Sequence, residues 1–156
     1  MLNAQSVLDT TKVVTGKDGQ IFLTLSDGTQ IFLANVDTAQ LQLNVKTIDY
    51  QPVGSAVEFA IVTGWSFSLS LTEVVVRDDV MLTQLYEDMA DGHMPTWDFQ
   101  TKITRSTDGE EERQVCRNCV PSGAIDLFNL SPGEIIKRPW NFRVNSNPEL
   151  LSYFAA

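Results

Sequence analysis

Hydrophobic and small polar residues alternate along two stretches of the chain, residues 38–46 and 64–72. The odd positions are apolar in both stretches, from Ala39 to Val45 and from Trp65 to Leu71. The even positions hold Thr38, Gln40, Gln42, Asn44 and Lys46 in the first stretch and Ser66, Ser68, Ser70 and Thr72 in the second. Because successive side chains of a β-strand point to opposite faces, each stretch predicts a long strand with one apolar and one polar face. A long polar face with little charge suits the wall of a water-filled tube.

The region between these strands, residues 48–63, contains Pro52 and Gly54 and is rich in apolar residues. It is too apolar for a simple solvated loop. We therefore expect either the far part of one long hairpin or a flap that rests on a neighbouring molecule.

The remaining pattern predicts more strands and one helix. Asp27-Gly28 between two β-rich runs is a strong hairpin signal. A helix is predicted over residues 79–90, with Asp78 or Asp79 as its N-terminal cap and Gly92 at its end. Further strands are predicted at residues 96–104, 113–120, 124–130 and 135–144. Residues 1–14 at the start of the chain are predicted to form a possible arm.

The composition predicts one domain over residues 1–156, with 43% hydrophobic and 20% charged residues. No apolar run approaches the roughly 20 residues that cross a bilayer, so we expect no transmembrane segment. The beginning of the chain lacks the pattern of a secretion signal, which favours folding in the cytoplasm. A net charge of −9 disfavours binding to nucleic acid, yet it is compatible with a conduit through which DNA passes.

No catalytic constellation accompanies the strands. Cys116 and Cys119 have a redox or zinc-like spacing, but the chain has no third cysteine and His93 is its single histidine. We expect no enzyme activity, no cofactor and no metal. The tryptophans Trp65, Trp97 and Trp140 each sit in an apolar alternation, which predicts core positions.

The order of these pieces resembles the tail tube proteins of contractile-tailed phages, defective prophages and phage-tail-like bacteriocins (tailocins). Residues 15–23, residues 64–71 followed by the helix, residues 93–99 and the closing residues 115–142 carry the resemblance. It implies a phage tail tube-like β-sandwich or barrel with one flanking helix and a long lumen-forming β-hairpin. It also implies six copies in a ring and rings stacked into a tube.

The resemblance further implies roles for particular residues. The lumen-facing residues would be Gln40, Gln42, Asn44, Lys46, Ser66, Ser68 and Ser70. The contact loop between rings would be Tyr50, Gln51, Pro52, Val53, Gly54, Ser55 and Ala56. Implied partners are further copies of the chain, a tail sheath, a baseplate and a tail terminator, with DNA or ions as passengers. The implied location is a virion or tailocin particle, assembled in the bacterial host cytoplasm.

Two alternatives stay open at this point. A secretion-system tube protein has a similar fold and forms hexameric rings that usually stay separate. A soluble β-sandwich binding module could hold a carbohydrate or a peptide on a tryptophan-rich surface.

Overall fold

The chain consists mostly of antiparallel strands with one α-helix, as a computed structural model describes it for residues 10–25, 28–34, 36–75 and 81–155. The strands are β1 Gly19–Thr24, β2 Gln30–Phe32, β3 Val36–Tyr50, β4 Phe59–Val74, β5 Trp97–Thr104, β6 Glu111–Pro121, β7 Lys137–Val144 and β8 Glu149–Ser152, and the helix is α1 Leu82–Ala90. The predicted mainly-β fold class with one helix is therefore confirmed. Most of the predicted arm, together with Asp27, Asp78 and Asp79, lies outside the described residues.

The chain divides into two compact units. The first contains Met1–Ala34, Trp97–Cys116 and Pro148–Ala156. Its strands follow the order β2, β1, β5 and the first half of β6, and β8 pairs with β6. The core side chains of this unit are Ile21, Leu23, Leu33, Trp97, Phe99, Val115 and Cys116.

The second unit contains Asn35–Thr96 and Arg117–Asn147. Its strands follow the order β6, β7, β4 and β3. The register places Trp140 of β7 opposite Leu71 of β4, and Phe142 opposite Leu69, so these four buried side chains share one face. The rings of Trp140 and Phe142 are stacked with their centroids 6.1 Å apart. This face is the core of the second unit, and the strand path of the described residues is open in both units.

The helix α1 begins one residue after Met81, inside the predicted range of 79–90, and has no side-chain cap at Met81. It ends before Gly92, whose φ of +86° terminates the helix as the sequence predicts. Leu85 is its buried residue. No helix in the described part of the chain is long and apolar enough to cross a membrane.

The strand predicted at residues 124–130 is wrong, because the structure has no strand there. Two backbone carbonyls of this segment accept hydrogen bonds from side chains, whereas in a strand they would accept from the backbone amides of a neighbouring strand. Asn141 donates to Ala124 at 3.2 Å and Arg138 donates to Leu127 at 3.1 Å. The backbone is thus held in an irregular path. Conversely, the short strand β8 was not predicted, and residues 135–136 of the predicted last strand precede β7.

Candidate functional site

The longest feature of the chain is the hairpin formed by β3 and β4, which have 15 and 16 residues. At about 3.3 Å per residue each strand extends roughly 50 Å, far beyond an average strand. Both strands include the predicted alternating stretches and continue past them. The apolar region of residues 48–63 is therefore the far part of one long hairpin, which was one of the two predicted alternatives.

The register of the hairpin brings the predicted wall residues together. Gln40, Gln42 and Asn44 lie directly opposite Ser70, Ser68 and Ser66, and Lys46 lies opposite Gly64. Because paired residues of antiparallel strands share a face, these side chains form one polar stripe. Asn44 donates a hydrogen bond to Ser68 diagonally across the stripe at 3.4 Å. The stripe exposes amides and hydroxyls, and Lys46 is its one charged member.

The opposite face of the hairpin is apolar over residues 39–45 and 65–71, but it is buried over only part of that length. Leu69 and Leu71, in the part of β4 that pairs with β7, are 3% and 1% exposed. Farther along the same face of β4, Trp65 is 58% exposed and its indole nitrogen donates to Asn147 at 3.1 Å. The prediction that Trp65 is a core residue is therefore wrong, whereas Trp97 and Trp140 are buried as predicted. The apolar face of β4 continues beyond the residues that pair with β7.

Both edges of the hairpin lack a strand partner over long stretches of the described residues. The strand β3 pairs with β4 alone. On the other side of β4, the partner β7 pairs with residues 67–74 and leaves residues 59–66 without a second strand. Unpaired edges of this length expose backbone donors and acceptors that can pair with another chain.

The predicted contact loop begins at Tyr50, the last residue of β3, and continues into the connection to β4. Pro52 accepts a hydrogen bond from the Ser55 amide at 3.2 Å, and Gly54 has a φ of +87° as the third residue of that turn. The Gln51 side chain donates to the Ser55 carbonyl at 2.9 Å. The turn is thus ordered by its own bonds, with Val53 fully exposed at its apex.

The titratable groups of the described residues do not form a catalytic arrangement. The Glu110 amide donates to Asp108 and lowers the pKa of that carboxyl, and the Lys102 ammonium lowers the pKa of Glu111. Carboxyls with lowered pKa stay ionised at neutral pH and are poor general acids. Burial raises the pKa of Cys116 to about 11, which keeps this thiol protonated and unreactive at neutral pH. No group of three potential metal ligands occurs among the described residues.

Comparison with known proteins identifies the fold. No family model and no curated protein matches the chain. Among solved structures, a chain of the SPP1 tail tube superposes with a TM-score of 0.68 at 9% identity, covering 92% of this chain and 81% of that one. The chain has a tail tube fold. A chain from the tail of an empty gene transfer agent particle with C6 symmetry gives a TM-score of 0.62 at 17% identity, with coverage of 90% and 100%.

A third structure comes from the sheath–tube complex of the extracellular contractile injection system PVC, with a TM-score of 0.59 at 14% identity. The superposition covers 86% of this chain and 89% of the PVC chain. The predicted resemblance to tail tube proteins is confirmed at the level of the fold.

The sequence predicted an apolar segment at residues 48–63 but not which of its side chains share a face near the turn of the hairpin. Ile48, Tyr50, Phe59 and Ile61 are each between 51% and 59% exposed. The signal in the sequence is a change of phase after Lys46, where the even positions of β3 become apolar.

Proposed function

We propose that this chain is a structural subunit of the inner tube of a contractile tail, in a phage or a tailocin. Copies of the chain form hexameric rings that stack into the tube. The observation that carries this proposal is a tail tube fold whose long hairpin has a polar stripe on one face and an uncovered apolar stripe on the other. One face is suited to water and the other to a neighbouring subunit.

The uncovered apolar stripe supports assembly because its side chains are at least half exposed in the isolated chain. Leu43, Val45 and Trp65 are 56%, 50% and 58% exposed. Burying apolar surface yields about 25 cal/mol per Å², so covering this stripe with a second copy favours association strongly. The stripe includes the exposed Trp65, and tryptophan is one of the residue types enriched at the energetic centre of interfaces.

The two unpaired edges support a ring. The free edge of β3 and the free edge of residues 59–66 lie on opposite sides of the same hairpin. An edge of one copy can therefore pair with the opposite edge of the next copy, which is a head-to-tail contact. Such contacts close into a ring when the rotation between copies allows it. The C6 symmetry of the gene transfer agent tail favours six copies.

The polar stripe would then line the lumen. Gln40, Gln42, Asn44, Ser66, Ser68 and Ser70 present neutral hydrogen-bonding groups to water, and Lys46 marks the end of the stripe. With a net charge of −9, the chain does not attract phosphates, so DNA would pass without being held. The contact loop at residues 50–56 would reach the next ring.

The expected partners follow from this role. They are further copies of the chain, a sheath around the tube, a baseplate at one end and a terminator at the other. The location would be the tail of a virion or tailocin particle that assembles in the bacterial host cytoplasm. The role is structural and requires neither catalysis nor a cofactor. The binding-module alternative loses its tryptophan-rich surface, because Trp97 and Trp140 are 2% and 0% exposed.

The test is negative-stain electron microscopy of the concentrated, purified protein, together with its size-exclusion profile over a range of concentration and salt. Hollow filaments of constant width are expected. Isolated rings under all conditions would favour the secretion-system tube. A monomer under all conditions would contradict self-assembly through the hairpin.

A further inference from the structure

The face of the hairpin that carries the polar stripe becomes apolar at a β-bulge. Lys46 pairs with Gly64, but the next residue, Thr47, pairs with Val62, so Thr63 is an extra residue on β4. The Thr63 hydroxyl donates to the Lys46 carbonyl at 3.2 Å, which fastens the bulge. The extra residue shifts the alternation of β4 by one position relative to β3.

Beyond the bulge, four large apolar side chains lie on the face that carries the polar stripe. The register pairs Ile48 with Ile61 and Tyr50 with Phe59. Since Ile48 follows Lys46 and Asn44 at intervals of two residues on β3, these pairs continue the same face. We call this group the tip cluster: Ile48, Tyr50, Phe59 and Ile61. Without the bulge, Ile48 would lie opposite Val62 and the cluster would be split between the two faces.

The tip cluster is exposed in the isolated chain. Ile48, Tyr50, Phe59 and Ile61 are 59%, 56%, 51% and 52% exposed. A compact apolar group of this kind, next to a stripe that is polar throughout, marks a contact surface. A wall that faces water therefore cannot continue past the bulge along this face.

The charge around the tip cluster limits what can cover it. Residues 47–63 contain Asp49 and Glu58 and no lysine, arginine or histidine. A nucleic acid or an anionic lipid surface is bound through basic side chains, which this segment lacks. An apolar protein surface fits the tip cluster better.

A second copy of the chain offers such a surface. Phe128, Leu130 and Ile135 of the second unit are 78%, 69% and 70% exposed, so the chain itself has apolar side chains that need cover. The tip cluster also lies between the two strand edges that the proposed function assigns to neighbouring copies.

From these observations we infer that the tip cluster is buried against a second copy of this chain, and that the water-lining stripe of each subunit ends at Lys46 and Gly64. The bulge at Thr63 is the boundary between wall and contact surface. This inference rests on the proposed function, since it requires that the chain assembles.

The first experiment replaces one facing pair of the tip cluster by Ile48→Thr and Ile61→Thr. Threonine keeps the β-propensity of the position and removes the apolar contact. The matched control, Gln42→Thr with Ser68→Thr, changes a facing pair of the polar stripe on the same face. The tip variant should retain the unfolding midpoint of the wild type. In sedimentation assays the protein concentration at which it begins to assemble should rise at least about tenfold, a loss of roughly 1.4 kcal/mol or more in association. The control should assemble like the wild type.

The second experiment measures accessibility with a small maleimide. Tyr50→Cys reports on the tip cluster and Gln42→Cys reports on the polar stripe. The native Cys116 and Cys119 are 4% and 0% exposed and give a low background. In assemblies, labelling at position 50 should slow by about tenfold or more, whereas position 42 should stay reactive through the water-filled lumen.

The outcomes separate this inference from the proposed function. If the wild type forms tubes and the tip variant assembles normally, or if position 50 stays as reactive in tubes as in free subunits, the inference is overturned while the proposed function stands. If the wild type forms neither tubes nor rings under any condition, both are overturned. Loss of assembly in the tip variant alone, with protection of position 50, supports both.

Discussion

The inner and outer parts of β4 both have apolar side chains on one face but differ in their surroundings. In the inner part, residues 67–74, Leu69 and Leu71 are 3% and 1% exposed. In the outer part, residues 59–66, Val62 and Trp65 are 57% and 58% exposed on the same face. The strand β7 pairs with the inner part alone, so the sheet continues beside that part and ends at the outer part. Alternation therefore identifies a strand with an apolar face, but it does not show whether the chain covers that face itself.

The inner part is also held by buried polar groups. Glu73, 5% exposed, accepts a hydrogen bond from the Trp140 indole at 3.0 Å and lies 3.4 Å from the Arg138 guanidinium. Arg138 in turn donates to the Leu127 carbonyl. The inner part thus forms its contacts within its own chain, whereas the outer part has exposed apolar surface. Mutations in the two parts should separate folding from assembly.

The largest effect on folding is expected for Trp140→Ala. Trp140 is fully buried, so truncation leaves a cavity and removes the hydrogen bond to Glu73. The free energy of unfolding should fall by about 3–5 kcal/mol. The matched change in the outer part, Trp65→Ala, should lower it by less than about 1 kcal/mol because this indole is largely exposed. Denaturant titration of unassembled protein measures both, and equal losses would contradict the division of β4 into two parts.

The second-largest loss of unfolding free energy is expected when the buried ion pair of Glu73 and Arg138 is broken. Glu73→Ala leaves Arg138 buried with its charge uncompensated and should cost about 3 kcal/mol of unfolding free energy. The control is Asp37→Ala, which removes an exposed pair with Lys137 at 2.7 Å and should cost less than about 1 kcal/mol. The measurement is again denaturant unfolding. A Glu73→Ala protein as stable as the control would mean that the pair is not essential to the inner part.

The smallest expected effect is on the rate of thiol alkylation. It is tested by comparing a buried native cysteine with a cysteine introduced in the outer part. Cys116 should be alkylated only as the pH approaches its raised pKa of about 11, whereas Val62→Cys in the outer part should react near the usual thiol pKa of about 8.5. Because the folded-state pKa of Cys116 is raised, its contribution to stability is complete below pH 9 and is lost as the pH rises to about 11. Alkylation rates against pH should show two steps in Val62→Cys, and Cys116→Ala should remove the step at higher pH.

Sequence reasoning succeeded where the local pattern was long and regular. It predicted residues 38–46 and 64–72 as strands because nine positions in a row obeyed one period. It failed at residues 124–130, where side chains of β7 bind the backbone and no ladder forms. It also failed at Trp65, whose apolar neighbours predicted burial. In both cases the outcome depended on residues far along the chain, which a local pattern does not contain.

The amino-acid sequence alone determined the mainly-β class, the helix near residues 79–90 and the polar stripe, because each depends on periodicity and on residues within a few positions. Only the tertiary structure decided that residues 48–63 extend the hairpin, that β7 ends at the middle of β4 and that Thr63 forms a bulge. The physical reason is pairing across strands. Which residues face each other is set by the register between distant segments, and an insertion of one residue moves an apolar side chain from one face of the sheet to the other.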